Sequence, residues 1–302
     1  MRKIVVAVCV GGEVFPGDLL EAILCQDVPR GWDLLGVLLV DNRLCRESAQ
    51  EWGSVADQVF IVREDRRGIP QARNRALLWA LGAGADWLAF IDDDSMPGER
   101  WLAHLLDAAT NLGTEAVAGE QRTQAGGTTR SPWVPNPSSS VYKFVFARGE
   151  EAGQLPTAFT GNVAFNLNFA KDLRFREELA RTGGSDIRFF DDFRQKGGRI
   201  GYAPESVVHN LPRGGRLEFP WHCRRKFRDG GLIANPLYPA ALRRRRIQHF
   251  LFGSRASGLT RLKGANSGEK NARVLLGSLT LAFCGFAGLL LGLLSFRFRS
   301  YS

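Results

Sequence analysis

Trp87 to Ile91 is an unbroken apolar run that stops on three consecutive carboxylates, Asp92, Asp93 and Asp94. A strand that is apolar on both faces must be covered from both sides, which is the condition of a parallel sheet wound between two layers of helices. Further short apolar runs stand at Ile4 to Val10, Leu34 to Val40 and Val59 to Val62, and helical patterns occupy Pro70 to Leu81 and Trp101 to Ala109. Strands alternating with helices predict βαβ units. Two of these strands end in acid, at Asp41 and Asp92, and in open parallel sheets ligands gather beyond the carboxyl ends of the strands. Two acidic strand ends at one edge predict one site.

Three adjacent carboxylates repel one another unless a cation or solvent compensates them. Mg²⁺ or Mn²⁺ suits them, because such an ion takes one or two carboxylates and completes its shell with phosphate oxygens and water. A solvated turn before the helix that follows Met96-Pro97-Gly98 is the alternative. A second acidic position stands in Gly183-Gly184-Ser185-Asp186. Ser185 as N-cap would place Asp186 in the first turn of a helix, where the dipole favours its charged form. Ile187, Phe190 and Phe193 give that helix an apolar face.

The chain has 302 residues and a formal net charge of +9. From Arg213 onward it carries 17 Lys and Arg against 3 Asp and Glu, while the part up to Pro212 carries 23 against 28, so the basicity belongs to the last third. Five cysteines without C-x-x-C spacing suggest neither a zinc site nor a disulfide framework. Met1-Arg2-Lys3 leads into an apolar run too short for a signal peptide. Val274 to Phe296 is 23 residues without a charge, about 35 Å as a helix, which predicts a transmembrane span. The charges flanking it predict a cytoplasmic N-terminal domain. Arg243 to Arg246, Arg255, Arg261 and Lys263 would then meet anionic headgroups; solvated surface charge and nucleic-acid binding are the other readings. Gly288 and Gly292 have a spacing that lets two helices approach closely, which admits a homodimer. Gln124 to Ser140, rich in Gly, Thr, Pro and Ser, reads as a surface loop. The expected organisation is 1–212 as an α/β domain, 213–273 as a basic membrane-proximal region, 274–296 as the span and 297–302 as a short tail.

Taken together, Leu39-Val40-Asp41-Asn42, Arg67 to Ala76, Phe90-Ile91-Asp92-Asp93-Asp94, Thr160 to Phe165, Gly183 to Asp186 and Tyr202-Ala203-Pro204-Glu205 occur in one order. In that order they resemble the family-2 glycosyltransferases, inverting nucleotide-sugar enzymes with the GT-A fold, over about Lys3 to Asn210. The resemblance implies a Rossmann-like, mixed but mainly parallel sheet flanked by helices. It implies that Asp41, with the main chain near Val8, contacts the nucleotide base, that Arg73, Asp92 and Asp93 lie on the donor, and that Asp94 holds the metal. Asp186 matches the acid of the family's E-D pair, the general base, with Ser185 in place of the usual Glu. His209 matches a position from which some relatives supply a further metal ligand; a structural histidine at a strand end is the other reading.

The implied reaction transfers a sugar from a UDP-, dTDP- or GDP-linked donor to a hydroxyl of a lipid-linked or polysaccharide acceptor, at a membrane and without nucleic acid. Two alternatives stand beside it: a membrane-tethered protein that binds nucleotide sugars without turnover, and a nucleotidyltransferase. No G-x-x-x-x-G-K-[ST] or G-x-G-x-x-G segment follows a strand, which disfavours P-loop and dinucleotide enzymes. The basic, aromatic segment Trp221 to Arg228 is expected to cover the donor diphosphate, face headgroups or form an ordinary surface helix.

Overall fold

The computed structural model describes residues 1–12, 16–43, 57–123, 154–211, 218–240, 242–243 and 268–294. The segments expected as a loop at 124–140 and as basic membrane contacts at 244–246, 255, 261 and 263 lie outside these residues. The described residues fall into two compact units. The first is drawn from Met1–Gln124, Ser139–Ala180 and Ser185–Leu211, and the second from Ala125–Ser138, Arg181–Gly184 and Pro212–Ser302.

In the first unit, β1 (Arg2–Val10), β2 (Trp32–Asp41), β3 (Val59–Arg63) and β4 (Trp87–Asp92) run parallel, each at an apolar run expected to be a strand. With β5 (Ser95–Pro97), β6 (Ala116–Thr123), β7 (Asn162–Asn166) and β8 (Ile200–Asn210) they form one sheet in the order β3-β2-β1-β4-β7-β6-β8-β5. The first three strands step outward in one direction and β4 returns to the other side of β1. This reversal leaves a crevice beyond the carboxyl ends of β1 and β4.

Strand parity sorts the side chains into two cores. Ile4, Val6, Val8, Trp87, Ala89 and Ile91 face α1 (Gly17–Leu24) and α3 (Trp101–Leu112), which bury Leu20, Ile23, Leu102 and Leu105. Val5, Ala7, Leu88 and Phe90 face α2 (Ile69–Gly82) and α5 (Ser185–Gln195), which bury Ala72, Ala76, Phe189, Phe190 and Phe193. The second core is aromatic: Phe175 stacks on Phe189 at 4.1 Å between ring centroids. Each such fully buried ring contributes about 2–3 kcal/mol of transfer free energy. Gly113, at φ +57°, closes α3 in the left-handed conformation that favours glycine.

One buried network fixes the middle of the sheet. The β6–β8 register slips between Gly119, opposite Ala203, and Glu120, opposite Val207. Asn162 of β7 plugs this bulge: its Nδ2 donates to Glu120 O and Ser206 O, both at 2.9 Å, and its Oδ1 accepts from Trp101 Nε1 at 2.8 Å. Three strands and α3 are thereby tied through one fully buried amide.

The first unit also carries the short helix α4 (Leu167–Ala170), and the second unit holds α6 (Phe219–Ala234) and α7 (Gly268–Leu293). These two helices pack on glycine: a Cβ at Gly230 would collide with the backbone of Gly285, and one at Gly288 with that of Phe227, while one at Gly292 would lie 2.7 Å from Ala234 Cβ. The G-x-x-x-G spacing therefore serves a contact within the chain. The transmembrane expectation over 274–296 is not met, because no helix among the described residues is long and apolar enough to cross a membrane. Packing gives a physical reason. Arg224, Arg225 and Lys226 of α6 stand level with the middle of α7's apolar stretch, and each cation at a bilayer centre would cost about 2.5–3.5 kcal/mol. Arg243 turns back onto α6's end, its Nη2 donating to Asn235 O at 2.9 Å and Tyr238 O at 3.1 Å.

Candidate active site at the carboxyl edge of the sheet

Strand alternation decides which of the expected residues meet. Leu88 and Phe90 face the α2 and α5 layer, so Asp92, two residues on, faces it as well. Cys9 of β1 pairs with Asp92 and lies on the same face. From α2, Arg73 is buried and reaches over the ring of Phe175, with its Nη1 donating to Ser185 Oγ at 3.0 Å. Asp186 follows in the first turn of α5. Ser185 is therefore the first helical residue, its hydroxyl engaged by Arg73, and not the N-cap that was expected. Gly183 and Gly184, both at φ +81°, occupy the left-handed region ahead of this helix, where a side chain would be strained.

The electrostatics place these groups in one field. Burial pushes the Asp92 carboxyl up to about 6; Arg73 opposes this, and Asp94, Asp93 and Asp186 add to it in that order. The four carboxylates, separated by up to 94 positions in sequence, thus act on one point. Burial likewise raises the Cys9 thiol to about 12, against Arg73 and with Asp92 and Asp93. The thiol is consequently no nucleophile at neutral pH.

Around Asp92 the surface is close-fitted. Asp93 Oδ2 accepts from Gly11 N at 3.2 Å, clipping the acidic turn to the end of β1. Gly161 lies on the other side, where a Cβ would sit 2.7 Å from Asp92 Oδ2 and 2.7 Å from Gln121 Oε1. Gln121 Nε2 and Thr160 Oγ1 are buried without a hydrogen-bond partner. The Asp186 carboxylate is held by its neighbour, Oδ1 accepting from Ile187 N at 2.9 Å.

Other expected residues lie elsewhere. Asp41 ends β2 beside Val10, and Asn42 N donates to Val10 O at 3.0 Å. The main chain next to Asp41 is thus that of Val10; Val8 pairs with Leu39 and is buried in the core, because the β1–β2 ladder fixes this register. Asp41 falls by parity on the α1 face, opposite to Asp92. It is also engaged: Arg43 Nε donates to Oδ1 at 2.8 Å and Nη2 to Oδ2 at 3.0 Å. Burial pushes the Asp41 carboxyl up, but the Arg43 hydrogen bonds and charge outweigh it and leave its pKa lowered. Nothing in the sequence singled out Arg43; an Arg two residues after a strand-end Asp was the available signal.

His209 of β8 pairs with Met96 of β5, and Leu211 N donates to Asp94 O at 2.7 Å, so β8 does pass beside the acidic turn. Among the described residues no group of three or more His, Cys, Asp and Glu side chains could hold a metal ion by themselves. The carboxylates grouped around Asp92 nonetheless suit an ion that completes its shell from a substrate's phosphates, for which one or two protein ligands suffice. A cavity of about 550 Å³ is lined by Glu64, Arg66, Arg75, Arg174 and Glu177 among others, and its Glu64 N donates to Asp41 O at 2.9 Å. Its Arg66 is already paired with Glu64 and Glu177.

A doubly wound sheet with carboxylates grouped beyond the ends of β1 and β4 is the GT-A arrangement. The glycosyl transferase family 2 model matches residues 17–174, more than half of the chain, and the chain belongs to that family. The succinoglycan biosynthesis protein ExoM of Rhizobium meliloti (strain 1021) is 34% identical over 147 residues, which cover 48% of this chain and 46% of that protein. The chain thus spans about half the length of this curated relative. Among solved structures, the mannosyltransferase PcManGT from Pyrobaculum calidifontis, in complex with GDP-Man and Mn²⁺, superposes with a TM-score of 0.60 at 19% identity, covering 97% of this chain and 86% of that one. S. aureus TarS 1–349 in complex with UDP-GlcNAc gives 0.51 at 14% identity, covering 98% and 91%.

Proposed function

We propose that the protein is an inverting glycosyltransferase that moves a sugar from a nucleotide-sugar donor to a hydroxyl of a lipid-linked or polysaccharide acceptor. The observation that carries this reading is the shared field of Asp92 and Asp186, with Arg73 between the layers that bear them. Asp186 accepts the proton of the acceptor hydroxyl as that oxygen displaces the diphosphate from the anomeric carbon. The Ile187 amide fixes the rotation of its carboxylate for this task. Arg73 holds Ser185, and with it the start of α5, against α2. Asp92 and Asp93 face the donor, and Asp41 with Arg43 lies where the nucleotide base would bind.

Asp94, with His209, would hold Mg²⁺ or Mn²⁺, whose charge offsets that of the leaving diphosphate. The ligands of the PcManGT and TarS complexes, GDP-Man with Mn²⁺ and UDP-GlcNAc, support a nucleotide-sugar donor and a divalent ion. The name of ExoM supports a glycan product. The basic second unit supports work at the cytoplasmic face of a membrane.

The decisive variant is Asp186→Asn, purified and supplied with a panel of UDP-, dTDP- and GDP-sugars. Transfer is expected to fall by about 10²–10⁴-fold with donor affinity kept. Undiminished transfer overturns the base assignment. A wild-type protein that binds donor and never releases free sugar would instead be a binder without turnover.

A further inference from the structure

The helix pair of the second unit carries an apolar surface that no core uses. On α7, Leu276, Leu279, Phe283, Phe286, Leu290 and Leu293 are each between 42% and 70% exposed. Their alternating spacing of three and four residues aligns them in one stripe about 100° wide. The opposite side of α7 is the glycine row. There Phe227 meets Gly288, and Gly231 and Ala234 meet Gly292, so α6 and α7 run parallel and in step, turn by turn. Helix α6 consequently rides on the side of α7 away from the stripe. Arg224, Arg225 and Lys226 are exposed on it, level with Gly285 to Ala287, near the middle of the stripe.

We propose that this stripe docks on an anionic phospholipid leaflet, with α7 lying in the membrane plane and α6 above it at the level of the phosphates. The layering of charge names the occupant. Leu276 to Leu294 contains no ionisable side chain except the Cys284 thiol, and the cations sit one helix diameter higher, as acyl chains and phosphates are layered in a leaflet. Arg224 and Lys226, on the two flanks of α6, reach downward to phosphate oxygens with their aliphatic stems over the apolar layer. A spanning orientation would carry all three cations to mid-depth. The inference rests on the second unit alone and stands or falls independently of the transfer reaction.

The test floats the full chain with vesicles of phosphatidylcholine, with and without about 30 mol% phosphatidylglycerol. The chain should float with the anionic vesicles. The double variant Phe283→Asp, Phe286→Asp should bind them at least tenfold more weakly. Arg224→Gln with Lys226→Gln should erase the preference for anionic over neutral vesicles. A tag after Ser302 should remain cleavable by protease added outside the vesicles. Because all four residues are solvent-facing, unfolding temperature and nucleoside diphosphate affinity should match the parent and separate a lost surface from a misfolded chain. Absent vesicle binding, indifference to these substitutions, or a protected tag overturns the proposal. A lipid-free dimer that Phe283→Asp dissolves would assign the stripe to a second copy and overturn it equally.

Discussion

Replacing Asp92 by Asn removes a carboxylate that the folded chain holds at a cost. The folded pKa is about 6 against an ordinary 3.8, so the folded state keeps a proton that the unfolded chain has already lost between these values. Stability is therefore lost as pH rises from about 4 to about 6, and the loss is complete at neutral pH. About two pKa units correspond to roughly 3 kcal/mol. Asp92 keeps part of its surface in solvent, which relieves some of the penalty and leaves about 2 kcal/mol. With divalent ions chelated, Asp92→Asn should accordingly be more stable than the parent by about 2 kcal/mol at pH 7, or about 4–8 °C in Tm. At about pH 3 the two proteins should unfold together, since Asp92 is then mostly protonated in both states. Adding Mg²⁺ and a nucleoside diphosphate should reverse the order, because the parent alone regains the compensating charge. Urea unfolding of both proteins across pH 3–7 reads the difference. An Asn variant no more stable than the parent at pH 7, or a gap that does not close in acid, would refute the argument that burial and neighbouring carboxylates raise this group.

Removal of divalent ions should weaken donor binding, and calorimetry giving equal affinity in chelator would take the metal out of the reading. Gly119→Ala should destabilise the fold by about 3 kcal/mol or prevent soluble expression, because its Cβ would lie 2.7 Å from Ser206 Oγ and closer still to Asn162 Nδ2 and Ser206 O. Asn162→Leu should cost about 2–4 kcal/mol in urea unfolding, leaving Trp101 Nε1 and two carbonyls unpaired. Mild oxidation by a disulfide reagent should link Cys223 to Cys284, read by peptide mass spectrometry; failure to form this link while Cys25 reacts would contradict the turn-by-turn register of α6 and α7.

Much of the first unit was legible because its signals are local. An apolar run such as Leu88 to Ile91 is costly to expose and has one common solution, a covered parallel strand, and the boundaries found differ from those expected by three residues at most. The acidic strand ends were equally legible, since a parallel βαβ chain directs every such end to one edge. What the linear pattern does not encode is side-chain direction at the end of a strand. Asp41 and Asp92 look alike in the sequence, yet parity turns them to opposite faces, and Asp92 alone meets Arg73 and the field of Asp186. Arg43, which occupies Asp41, and Asn162, which holds the β6–β8 bulge, act through partners that only the fold brings near.

The C-terminal third shows the same division from its other side. Hydropathy counts the 23 uncharged residues of Val274 to Phe296 without regard to what lies beside them. The glycines that hydropathy treats as neutral let α6 approach backbone to backbone, and this brings three cations to the middle of the apolar stretch. The amino-acid order by itself determined a wound α/β sheet with an acidic edge and a basic, apolar tail, because burial and periodicity act over a few residues at a time. Only the tertiary structure decided which acids share a pocket and which face of the tail stays bare, because those outcomes depend on the partners that packing supplies.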